Sequence, residues 1–228
     1  MLLIEKLKKE VYPSKDYMFK EIIIDKKKVY LVFNEVLTDT LNINESILRK
    51  LVLVKKKDLK RLDSLLPVRN IKIIKEDEIL YYVNNGFLVI ITDKIYACEV
   101  RALIDRGVNT IDGELTITGP KDSFNEHFNT NVGLIRRRIK DVNLFLEETI
   151  LGKHSKTKVG VMYLNGVCKL EVKEKVLNKL KKINIDGIID SGYIRKWLNQ
   201  NSSLFPTIKT TERPDLASQA LLEGKIVI

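Results

Sequence analysis

Apolar residues recur along this chain with two different periods, and the period changes from segment to segment. Leu3, Ile4, Leu7 and Val11 lie on one side of a 3.6-residue repeat, so residues 1–14 read as an amphipathic tail. Residues 17–24 and 29–34 read as β-strands around the turn Asp-Lys-Lys-Lys, and a helix after Asn44 should bury Ile47, Leu48, Leu51 and Val52. A short strand follows at 71–74, then a short helix in DEILYYVNNG that Gly86 stops. FLVIIT and IYACEVR flank Asp93-Lys94, a tight hairpin signal. Further on, 143–151 and 157–164 read as strands joined by GKHSKT, and 168–182 as a basic helix with Val172, Val176, Leu180 and Ile183 inward. NIDGIID is expected to be a short strand, and 192–199 a short helix with the single tryptophan, Trp197. In FPTIKTTERPDLASQALLEGKIVI we expect an extended loop, a helix with Pro214 in its first turn and Gly224 at its stop, and a last strand.

Between these halves lies GPKDSFNEHFNTNVGLIRRRIK, residues 119–140, where three of ten arginines stand side by side. Ser123 and Glu126 form the S-x-x-E capping box, which predicts a helix from Ser123 to about Lys140. Phe124, Phe128, Val132, Ile135, Ile139 and Val142 would then share one stripe. At about 100° per residue, Arg136 and Arg138 flank that stripe and Arg137 points away from it. The bland reading has Arg136 and Arg138 laying their stems along the buried edge and pairing with acids, with Arg137 solvated. A sharper reading is that a planar, permanently charged fork serves a carboxylate where lysine is otherwise this chain's habit.

The pattern as a whole is α/β (mixed α+β): two α/β subdomains with small mixed sheets, joined near the central amphipathic helix. The expected division is a tail at 1–14, a first subdomain at 15–140 and a second at 141–228. Neither a repeat nor a low-complexity linker stands out.

With 44% apolar and 31% charged residues among 228, the chain is globular, and no apolar run approaches the ~20 residues that span a bilayer. Cys98 and Cys168 match no metal or redox spacing, consistent with a reducing compartment. The net charge of +10 is concentrated: residues 1–60 hold 14 basic and 9 acidic groups, residues 153–182 hold 9 and 2. Scattered lysines with only 7% aromatics argue against specific nucleic-acid recognition, and suit an anionic membrane surface as well as a nucleic acid. Phosphate-loop, dinucleotide, nucleophile-elbow and zincin motifs do not occur, His127 and His154 do not pair, and the Asp186/Asp190 carboxylates have no evident substrate between them. No enzyme, metal or cofactor is expected.

Two segments together carry a resemblance: GPKDSFNE…NTNVGLIRRRI, and FPTIKTTERPD…LLEGKIVI some seventy residues later. From about residue 30 onward the chain resembles the A subunits of GerA-family spore germination receptors. The motif positions are Gly119, Pro120, Lys121, Glu126, Asn131, Arg136, Arg137, Arg138, Thr211, Glu212, Arg213, Pro214 and Asp215, of which Arg136–Arg138 and Thr211–Asp215 match in full. Where the family commonly has R-G-P-R-E-G-F-T-E, this chain has Thr118, Lys121, Asp122, Ser123 and Asn125 in the variable slots, so a fork becomes a point charge at Lys121. The resemblance implies an N-terminal domain that continues into a membrane portion, with this sequence a truncated piece of the whole. It implies B and C receptor subunits as partners, A-subunit oligomers in the full complex, a monomeric isolated fragment, and the spore inner membrane with this domain facing the cytoplasm. The implied role is signal transduction and assembly coupled to an ion-conducting complex. A small ligand held in a cleft between the subdomains is the alternative. Within the motif, Arg136 or Arg138 is expected to bond a carboxylate or carbonyl of residues 210–215.

Overall fold

A computed structural model describes residues 2–103, 120, 122–199 and 207–228. The described residues fall into two units, those of Met1–Asp105 with Val132–Val142, and those of Arg106–Asn131 with Asn143–Ile228. The sequence pattern runs the first subdomain to residue 140; the described residues of 106–131 group instead with the second unit. The reason is local: Phe124 bonds the Glu212 carbonyl, and the Phe128 ring lies against Gly160, both within that unit.

The first unit begins with helix α1 (Leu2–Val11) and the antiparallel hairpin β1 (Tyr17–Ile24) and β2 (Lys27–Asn34). A twelve-residue helical stretch α2 follows at 40–51, in which α turns flank a π-helical Ile43–Leu48. After the 3-10 turn Lys56–Arg61 come α3 (Leu62–Leu65), β3 (Ile71–Ile74), α4 (Ile79–Val83), β4 (Phe87–Ile91) and β5 (Ile95–Glu99). The strand order is β1-β2-β4-β5-β3 and every pairing is antiparallel, so the mixed sheets expected from the sequence are corrected here. Short connections such as Thr92-Asp93-Lys94 favour that direction, because parallel neighbours need long crossovers.

Alternation along the strands loads both faces of this sheet. Val29, Leu31, Leu88 and Ile90 pack against Ile43, Ile47 and Leu51 of α2. Val32, Val89 and Ala97 face the other way, onto Ile4, Leu7 and Val11 of α1 and Ile79 and Val83 of α4. The amphipathic start is therefore part of this core. Val52, expected inward, is 62% exposed, because the buried stripe of α2 runs through Ile43, Ile47 and Leu51.

In the second unit, β6 (Leu144–Leu151) and β7 (Thr157–Leu164) form an antiparallel hairpin. It is followed by α6 (Leu170–Lys181), α7 (Ser191–Leu198) and α8 (Pro214–Leu222). Phe145, Val159, Val161 and Tyr163 pack against Leu180, Ile183 and Ile188, with Trp197 partly buried beside them. Val172 faces outward, contrary to expectation. NIDGIID is not a strand: its backbone is tied to the β6–β7 turn by Lys153 N–H to Ile185 O (3.0 Å) and His154 N–H to Asp186 O (2.8 Å). The expected last strand is a single bridge, Met162 to Val227. Each unit contains two eight-residue strands followed by a twelve-residue helical stretch, a repetition that does not stand out in the sequence.

Candidate functional site

The arginine helix α5 spans Phe128–Arg138, five residues shorter at its start than the capping box predicts. Ser123 does not cap it. The Ser123 hydroxyl donates to the Glu212 carbonyl at 3.1 Å, and the Phe124 N–H donates to the same oxygen at 2.8 Å. With its hydroxyl committed there, Ser123 leaves helix entry to asparagines. The Asn125 side chain accepts from the His127 N–H (2.9 Å), and Asn131 reaches back to both the N–H (2.9 Å) and the carbonyl (2.5 Å) of Asn125. Glu126 is exposed.

Each arginine of the triad has its own surroundings. Arg137 is exposed and Arg138 half-buried, donating to the Leu134 carbonyl at 2.9 Å, while Arg136 is buried at 1% exposure. The Arg136 guanidinium grips the Asp16 carboxylate with two parallel bonds, Nε to Oδ2 and Nη2 to Oδ1 (2.9 Å). It also reaches the Ser14 and Tyr17 hydroxyls, each at 3.5 Å, and its carbon lies 5.1 Å from the Tyr17 ring centre. Two parallel N–H donors in one plane are what arginine provides and lysine does not.

A second tier of side chains fixes this pair. Asn34 donates to Asp16 Oδ2 at 2.9 Å and accepts from the Val36 N–H at 3.2 Å. The Tyr17 hydroxyl donates to Asn84 Oδ1 at 2.5 Å. Burial pushes the Tyr17 phenol up to about 12, against the opposing pull of the Arg136 charge, which keeps it a neutral donor at physiological pH. Asp16, Tyr17, Asn34 and Asn84 carry no signal of this role in the sequence. A buried acid announces that it needs a cation, but nothing in its spacing says that the cation lies 120 residues away.

The T-E-R-P-D segment is organised around the start of α8. Arg213 pairs with Asp215 two residues on, Nε to Oδ1 at 3.1 Å and Nη2 to Oδ2 at 2.6 Å. That bond to Arg213 holds the Asp215 carboxyl below its ordinary range. The Thr211 hydroxyl accepts from the Arg213 N–H (3.1 Å), Pro214 occupies the first helical position, and Ser218 donates to its carbonyl (2.7 Å). Of the two arginines expected to reach residues 210–215, Arg136 is engaged by Asp16 instead, and Glu212 meets the motif through its backbone carbonyl and residues 123–124. Gly119 and Lys121 lie outside the described residues, and Pro120 is exposed. Among the described residues no cluster of metal-ligating side chains occurs.

Residues 5–228 match the family described as Bacillus/Clostridium GerA spore germination protein. The chain belongs to the GerA family. Spore germination protein XA of Bacillus anthracis is 40% identical over 134 residues, 58% of this chain and 27% of that protein. Spore germination protein KA of Bacillus subtilis (strain 168) is 31% identical over 240 residues, 99% of this chain and 44% of that protein. This GerA-family chain therefore spans less than half the length of these relatives. Its fold also matches the crystal structure of the N-terminal domain of the A subunit of the Bacillus megaterium spore germinant receptor GerK3. The TM-score is 0.69 at 25% identity, over 98% of this chain and 87% of that one. Among the described residues no helix of this family member is long and apolar enough to cross a membrane.

Proposed function

We propose that this chain serves as the N-terminal domain of a germinant receptor A subunit, and that it acts in spore germination as a signal-transduction and assembly module. The observation that carries this reading is the match of 98% of the chain to that domain of the GerK3 A subunit. Its partners in this reading are the B and C subunits and further A subunits. Its place is the cytoplasmic side of the spore inner membrane, next to an ion-conducting complex. The arginine helix supports a positional role: Arg136 is spent on an internal carboxylate, so the guanidinium fixes a helix and does not stand waiting for an anion. In this proposal the motif holds α5 in place, and a change in how α5 is held is what the membrane portion senses.

The test deletes this domain from the full-length A subunit in spores and follows nutrient-triggered cation release and loss of refractility. The expected result is an A subunit that still reaches the membrane fraction but neither supports germination nor co-purifies normally with B and C subunits. Germination at the parental rate without the domain would refute the proposal.

A further inference from the structure

The two units repeat one another in detail. The hydrogen bonds that turn the chain out of the hairpin recur with a shift of 130 residues. Leu37 N–H to Asn34 O (3.2 Å) and Thr38 N–H to Asn34 O (3.1 Å) match Val167 N–H to Leu164 O (3.2 Å) and Cys168 N–H to Leu164 O (2.8 Å). The hairpin mouth is closed in the same way, by Glu35 N–H to Asp16 O (2.8 Å) and by Asn165 N–H to Asn143 O (2.9 Å).

The correspondence continues past the helices. α4 ends at Gly86 with φ +78°, and α8 at Gly224 with φ +79°. A Cβ on Gly86 would lie 2.9 Å from the Leu37 carbonyl oxygen, and one on Gly224 would lie 2.8 Å from that of Val167, residues that are themselves equivalent. Three residues after each glycine comes a valine at the same station. Val89 pairs with Val32 of β2, and Val227 with Met162 of β7. Leu88-Val89-Ile90 of β4 and Ile226-Val227-Ile228 therefore occupy corresponding places.

At the outer side of these two segments the copies differ. β4 has β2 on one side and β5 on the other, and Leu88, Val89 and Ile90 are all fully buried. Val227 exchanges both its backbone bonds with Met162, N–H to O at 3.0 Å and the reverse at 2.8 Å. By strand alternation the N–H and C=O of Ile226 and Ile228 then face away from β7, as those of Leu88 and Ile90 face β5. Among the described residues nothing pairs with them. Ile226 and Val227 are only half-buried and Ile228 is 45% exposed.

We propose that the outer edge of Ile226–Ile228 is a strand-acceptor surface, and that its occupant is an antiparallel segment of the same polypeptide, turned back directly after Ile228 as β5 turns back after β4. The GerK3 domain that this fold matches is an N-terminal one, so in that protein polypeptide does follow it. An edge with free backbone donors and apolar side chains recruits an extended chain through main-chain bonds, with side-chain alternation setting the register.

The experiment measures amide exchange at Ile226 and Ile228 in three chains. One is the 228-residue chain. The second repeats the sequence of residues 91–99 after Ile228, supplying β4's own turn and returning strand in the corresponding frame. The third carries the same nine residues scrambled. Exchange at both amides should slow on the order of tenfold or more in the second chain alone. No slowing, or equal slowing with the scrambled tail, overturns the proposal. Slow exchange already present in the first chain overturns it as well: at all concentrations it means another part of the chain covers this edge, and with rising concentration it means a second copy does.

Discussion

Replacing Arg136 by methionine removes the guanidinium and leaves the Asp16 carboxylate at 2% side-chain exposure with only the Asn34 amide from the original set of side-chain donors around it. Breaking a buried pair from one side typically costs about 3–5 kcal/mol, because the stranded charge has lost its water and gained nothing in return. The Asn34 bond that survives places the expectation near the lower end, about 3 kcal/mol, which for a chain of this size lowers Tm by roughly 6–12 °C. Arg136→Lys keeps the charge and loses the fork, with an expected loss of about 1–3 kcal/mol. Asp16→Asn strands the cation in the same way. The double variant should lose much less than the two singles together, with an interaction term on the order of 2 kcal/mol in urea unfolding followed by far-ultraviolet circular dichroism. Because the pair is buried, that term should hardly change between low salt and about 1 M salt. Additivity within ~0.5 kcal/mol, or a single-variant loss below ~1 kcal/mol, would refute the reasoning that Arg136 anchors α5 through this carboxylate.

Gly86→Ala and Gly224→Ala should each destabilise by roughly 2 kcal/mol, through positive φ and collision with equivalent carbonyls; a large loss at one and none at the other in urea unfolding contradicts the repeat. Asp215 has its folded pKa lowered by Arg213, so its contribution is present above the unfolded carboxylate pKa of about 3.9 and is lost as pH falls through the lower folded value. Arg213→Gln should therefore flatten the loss of unfolding midpoint below about pH 4, and an unchanged pH profile speaks against the pair. Burial pushes the Cys98 thiol up to about 12, so mass spectrometry after alkylation near pH 8 should find Cys168 modified well before Cys98, and the reverse order would contradict the packing of β5.

How much of the fold is legible in the sequence depends on how local each signal is. The strands at 17–24, 71–74 and 157–164, and the Asp93-Lys94 hairpin, stand out in the sequence because alternation and turn chemistry act between near neighbours. The helical period sets Arg136 beside the buried stripe and Arg137 away from it, but not the full burial of the Arg136 fork. The capping box at Ser123 misleads because the hydroxyl's real acceptor, the Glu212 carbonyl, lies 89 residues away. Asp16 is invisible for the same reason. The repeat is hidden because its copies share geometry more than residues: Tyr30 corresponds to Gly160, and the two-residue turn Asp25-Lys26 corresponds to five residues at 152–156.

Three adjacent arginines do not make one anion site here: the helical period spreads them, and each has its own surroundings. An incoming carboxylate or phosphate could reach the Arg136 fork only by displacing Asp16, which would leave that acid buried beside a single amide, or by moving α5 away from Tyr17 and Asn84. Either route costs several kcal/mol before any ligand contact is counted. Arg213 carries a milder version of the same constraint, since its fork is already closed on Asp215 in a half-buried setting. Ligand binding at either arginine is therefore coupled to rearrangement of the helix it anchors. Such a motif is in keeping with the signal-transduction role proposed above, because the contacts that would have to break are the ones that hold α5 and the start of α8 in place.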